Sequence, residues 1–107
     1  MKYYIFWLVF MLIPFSVHAE DMTSKEVIEL CSGVAKNAEI LMELRQSGVP
    51  MDEVLKASDG EVVIRLAVKA YKWPVIKDQS TRKEVIADFR DSMHAQCLEA
   101  GLAKLAK

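Results

Sequence analysis

The residues able to do chemistry in this chain of 107 are few. Cys31 and Cys97 are its two cysteines, and His94 stands three residues before the second, next to Met93. A His and a Cys three apart on a helix share a face and offer two soft-metal ligands, but a closed metal site needs about four. No Cys-x-x-Cys or Cys-x-x-Cys-His occurs, so neither thioredoxin-like exchange nor haem attachment is indicated. Glu39 with Glu43, and Asp88 with Asp91, are carboxylate pairs at helical spacing. Acid–base work would require a cleft that shifts one of each pair, whereas Lys36 and Arg90 beside them suit solvated faces. No Ser/His/Asp or Cys/His arrangement stands out. The expectation is a protein without catalysis, metal or cofactor.

What remains is contact chemistry. Tyr71, Trp73 and Pro74 are the aromatic cluster of the chain beyond its N-terminal segment, either a binding patch or a lid over the end of the fold. Arg45 and Gln46 are similar: recognition residues, or a helix terminus paired with Asp52 or Glu53.

These residues need elements to position them. Thr23 with Glu26 reads as a capping box, and Val27, Leu30, Cys31, Val34, Ala38, Leu41 and Met42 recur at helical steps. Gly48 and Pro50 end that helix. Gly33, Ala35 and Ala38 would let a neighbouring helix come close. Pro50 with Asp52 and Glu53 starts a short helix with Val54 and Leu55 inward. A third helix is expected from Glu61 to Lys72, capped from Ser58, with Val62, Val63, Leu66, Ala67, Ala70 and Tyr71 inward, and Trp73-Pro74 closes it. Thr81 with Glu84 reads as the start of a last long helix whose stripe is Val85, Ile86, Phe89, Met93, Cys97, Ala100, Gly101, Leu102 and Leu105. The fold class expected is all-α: three longer helices and one short, stapled by Cys31–Cys97. Both cysteines lie on inward stripes, and two buried thiols are the alternative.

Residues 1–19 carry Lys2, an apolar run from Ile5 to Phe15 and a Val17-His18-Ala19 end. That is a secretory signal peptide, with an uncleaved anchor as the rival reading. Residues 20–107 are then a single helical domain, and an oxidising destination suits a disulfide. Without the leader, 13 basic residues face 15 acidic ones, a formal charge of −2. Neither nucleic acid nor an anionic membrane surface is suggested. Any membrane contact would come through the leader.

Taken together, Cys31, Ala35, Ala38, Met42, Arg45-Gln46-x-Gly48-Val49, Ala70-Tyr71-x-x-Pro74, Phe89 and Cys97 form a pattern. It resembles a group of short exported helical two-cysteine proteins of proteobacteria and their phages. That resemblance implies export, helices and paired cysteines, and transfers no catalytic residue. In bulk the chain is also similar to the small acid-stress chaperones of the periplasm. The expectation is a periplasmic or secreted protein that binds another envelope protein. An inhibitor, immunity or exclusion factor comes first, and a stress chaperone or a structural role follows.

Overall fold

The computed structural model describes residues 22–105, so the expected signal peptide lies outside the described residues. Four α-helices make up the described chain: α1 Ser24–Gln46, α2 Met51–Ala57, α3 Glu61–Ala70 and α4 Gln79–Leu105. No strand occurs among the described residues.

The ends of α1 are where the sequence puts them. The Glu26 N–H donates to the Thr23 hydroxyl at 3.2 Å, and the Thr23 N–H to the Glu26 carboxylate at 3.4 Å. At the other end Gly48 takes φ 84°, the left-handed region that a residue with a Cβ avoids. Its N–H reaches the Arg45 carbonyl and the Val49 N–H reaches the Leu44 carbonyl, both at 3.1 Å. This is a Schellman stop, which satisfies carbonyls that a helix end otherwise leaves free.

Two other starts differ from expectation. Ser58 does not cap α3; its hydroxyl donates back to the Val54 carbonyl at 2.7 Å and finishes α2. Gly60, at φ 95°, leads into α3 without a side-chain cap. The last helix opens two residues before Thr81. Asp78 is its cap, accepting from the Thr81 N–H at 3.0 Å and hydroxyl at 2.8 Å. These bonds, the backbone one first, hold the Asp78 carboxyl below the ordinary aspartate value.

α1 and α4 run antiparallel along their whole length. Val27 faces Gly101, Cys31 is bonded to Cys97, and Glu39 meets Arg90 at 3.5 Å. α3 is different. Its C-terminal end is tied to the C-terminal end of α1, and its 10 residues span only about 15 Å against about 35 Å for α1. It therefore covers only the second half of α1. There the core forms from Ala38, Leu41, Met42, Val54, Leu66, Ala67, Ala70, Phe89 and Met93. Ala38, Ala67 and Ala70 are fully buried, small residues at which helices close up. Beyond α3, the first half of α1 and the last half of α4 continue as a two-helix arm.

The arm explains several departures from the expected stripes. Leu30 and Val62 are expected inward but are 55% and 58% exposed, because α3 stops short of Leu30 and Val62 lies at the margin of α3. Ala100, Leu102 and Leu105 are likewise exposed near the end of α4, and Cys97 is half-buried while Cys31 is buried. Leu55 is half-buried, and Val54 alone in α2 is fully inside.

The close approach expected at Gly33 is at Gly101 instead. A Cβ on Gly101 would come 2.5 Å from Val27 Cγ1, whereas one on Gly33 would meet nothing within 4 Å. The two substitutions to alanine therefore have opposite signs. Gly33→Ala gains helix propensity and raises the unfolding free energy by about 1 kcal/mol. Gly101→Ala gains the same propensity, but it drives a methyl into a stiff, buried β-branched side chain. Overpacking of that kind costs about 1–3 kcal/mol, so the net change is a loss of about 1 kcal/mol. Urea unfolding of the two variants beside wild type measures the difference.

Candidate functional site: a loop braced by Arg45 and Gln46

The last turn of α1 carries two adjacent side chains that reach a loop about thirty residues on. The Arg45 Nε–H donates to the Trp73 carbonyl at 2.8 Å. Gln46, 3% exposed, uses both ends of its amide. Its Nε2 donates to the Pro74 carbonyl at 2.9 Å, and its Oε1 accepts from the Ile76 N–H at 2.7 Å. The amide thus bonds the backbone on either side of Val75, as a neighbouring strand would. The second proton of Nε2 points to the Met42 sulfur at 3.6 Å. No buried side-chain N or O among the described residues is without a partner.

Further bonds close the corner. The Arg45 guanidinium lies over the Tyr71 ring, 5.1 Å from its centroid, a cation–π contact. The Tyr71 hydroxyl donates to the Val49 carbonyl at 2.6 Å. From the far side, Arg82 Nε and Nη2 both donate to the Ile76 carbonyl, at 3.1 and 2.8 Å. Backbone groups from Trp73 to Ile76 are therefore fixed by side chains of α1 and α4. What stays outside is Trp73, 41% exposed, Val75, 46% exposed, and the exposed Pro74 between them.

The residues named from sequence do meet here, with different partners. Arg45 and Gln46 engage neither Asp52 nor Glu53; both reach main-chain carbonyls. Tyr71 is half-buried and acts as a structural bridge, whereas Trp73 and Pro74 are exposed. Sequence reasoning missed Arg82 as a brace of this loop, together with the parts played by Val49, Val75 and Ile76. Trp-Pro followed by two β-branched residues was the available sign of an extended segment needing side-chain partners.

Tyr71 also reports on the corner. Burial pushes its phenol above the ordinary tyrosine value, the Arg45 guanidinium opposes that, and Glu53 adds to the rise. The folded state thus favours the neutral phenol, so this contribution is complete below the ordinary tyrosine value. It is lost as pH rises through the raised one. The absorbance titration of wild type minus that of Tyr71→Phe is expected to show a midpoint above that of free tyrosine.

The other candidate chemistry is spoken for. Cys97 is covalently joined to Cys31, so His94 has no thiolate beside it to share a metal. Asp91, 2.9 Å from Arg90 Nε, and more weakly Glu39 both bond Arg90 and raise its guanidinium above the ordinary arginine value. These partly exposed pairs add little stability.

Fold and site together define a disulfide-bonded helical scaffold that displays a short braced loop. Compared with known protein families, with curated proteins and with solved structures, the chain matches nothing.

Proposed function

We propose that this chain is an exported protein-binding factor without catalysis, acting in the periplasm or outside the cell. Its contact tip is Trp73-Pro74-Val75. The observation that carries this reading is the Gln46 amide bonded to both sides of Val75, which leaves Trp73 and Val75 facing water on an immobilised backbone. A protein that needed Trp73 only for its own stability would bury it. Displayed in this way, tryptophan is among the side chains that carry most binding energy in interfaces. A loop already held in one conformation loses little entropy when a partner closes on it. Lys72 and Lys77 flank the tip, so a concave, acid-rimmed surface is the complementary shape. An inhibitor, immunity or exclusion factor directed at an envelope enzyme fits these properties. The Cys31–Cys97 bond supports an oxidising compartment.

A second reading, an envelope-stress chaperone, draws on a different observation. Ile28, Leu30, Ile40, Val62 and Leu102 are each at least two-fifths exposed and lie away from the tip. Such a protein would bind a hydrophobic dye and suppress aggregation at about pH 3, as its carboxylates protonate.

The deciding experiment is capture from periplasm at neutral pH with the oxidised protein, run beside Trp73→Ala. A stoichiometric complex weakened at least about tenfold by Trp73→Ala supports the tip. Equal capture by both proteins overturns it. Circular dichroism checks that the variant keeps its helices, as the exposure of Trp73 leads one to expect.

A further inference from the structure

The arm beyond α3 has an apolar face that the braced loop does not use, and its charges say what covers it. Glu39 and Asp91, joined through Arg90, mark one flank of the α1–α4 pair. Arg45, which reaches Trp73 after α3, marks the other flank of α1. Ile28 lies eleven residues before Glu39, and Leu98, Leu102 and Leu105 lie seven, eleven and fourteen after Asp91. Those spacings keep a helix to one side, so all four leucine and isoleucine side chains continue the Glu39–Asp91 flank, away from α3. Ile28 is 52% exposed, Leu102 41%, Leu105 38%, and Leu98 is half-buried. A two-helix layer cannot bury both of its faces; helices reach that state in pairs of layers.

We propose that this face binds a second copy of the chain, the two arms stacking antiparallel, layer on layer, to form a four-helix bundle. The rim selects the occupant and its direction. Lys25 and Glu29, one turn apart and both exposed, flank Ile28 on its outer side. An antiparallel overlap centred near Val27 sets Lys25 of each copy against Glu29 of the other, twice over. It also brings Leu98 of each copy to Leu102 and Leu105 of its partner. A parallel overlap, with its two-fold along the helices, lays α1 on the partner's α4 and forms no Lys25–Glu29 pair. The two cores project from opposite ends of the overlap, so they do not collide. The contact is isologous, as a two-fold dimer requires. It goes beyond the proposed tip and leaves Trp73 free.

Sedimentation velocity of the exported protein, without the leader and with its bridge intact, tests this between about 1 and 300 µM, the range expected of a contact this small. A reversible monomer–dimer equilibrium is expected. Ile28→Glu and Leu102→Glu should each weaken it by at least about tenfold, with circular dichroism unchanged because both side chains are exposed. Lys25→Glu should weaken it as well, and adding Glu29→Lys to that variant should restore it. Monomer throughout the range overturns the proposal. So does a dimer indifferent to both glutamate substitutions, or a double swap that fails to recover association.

Discussion

Replacing Cys31 and Cys97 together by alanine is expected to lower the unfolding free energy by about 4 kcal/mol. The bridge spans 66 residues of sequence, and joining so distant a pair removes much of the freedom of the unfolded chain. In the chain-entropy account that restriction amounts to about 4 kcal/mol. Domains of this size have roughly 5–15 kcal/mol in all, so the loss is a large share. Its location sharpens the expectation. The sulfurs lie in the arm, where Val27, Cys31 and Ala35 are buried but stand outside the nine-residue core cluster. Without the bond, the arm has only a narrow seam to hold it. Hydrogen exchange should therefore quicken first in the beginning of α1 and the end of α4, ahead of global unfolding. Urea titration of the double variant gives the magnitude, and exchange by residue gives the place. A change below about 1 kcal/mol would show that the seam alone suffices. The double substitution is preferable to a single one, which leaves a free thiol able to link two chains.

How much of this was legible beforehand depended on whether the signal was local. The capping box at Thr23 and the stop at Gly48 involve residues within a few positions of each other, and both stand as the sequence reads. The facing of Cys31 and Cys97 followed from two independent helical periodicities, and the bond joins them. Periodicity cannot say how far a neighbour extends. Leu30 belongs to the apolar pattern of α1, but α3 stops short of it, and so it is exposed. Gly33 and Gly101 show the same limit. Gly33 reads as the place for close packing and Gly101 only as part of a stripe, and it is the register of α1 against α4 that sets Val27 over the second. Competition between caps was the other failure. Thr81 and Asp78 are both good N-cap residues three apart, and the carboxylate takes the role by bonding the threonine's own N–H and hydroxyl. At the corner, Arg45, Gln46, Tyr71, Trp73 and Pro74 come together as one group, but Arg45, Gln46 and Tyr71 bond backbone carbonyls, not the side chains expected. Every residue has a carbonyl, so composition carries no mark of which ones a side chain will choose.

Gln46→Ala is expected to destabilise the protein by about 3 kcal/mol and to loosen the Trp73–Ile76 segment. Alanine leaves the Pro74 carbonyl and the Ile76 N–H without their partner in a place where Gln46 is almost fully enclosed. Each such orphan costs about 1–3 kcal/mol, less whatever water can enter to replace the amide. Arg45 and Arg82 still hold Trp73 and Ile76, so the segment should stay near its place with greater motion. If the tip binds as proposed, affinity for the captured partner falls even though no contacting side chain has changed. Gln46→Glu separates the bonds from the shape. The new side chain fills the same space and can still accept from the Ile76 N–H, but as a carboxylate it faces the Pro74 carbonyl with no proton to donate. Enclosure and that carbonyl both disfavour the charged form, so its pKa in the folded state lies above the ordinary glutamate value. The penalty relative to wild type should then be largest at neutral pH. It should shrink as pH falls through the raised value, because the protonated acid regains a donor for Pro74. Parallel urea titrations of wild type and variant across that range read the effect directly. A penalty that does not change with pH would mean that Gln46 braces the loop by packing and not through its amide.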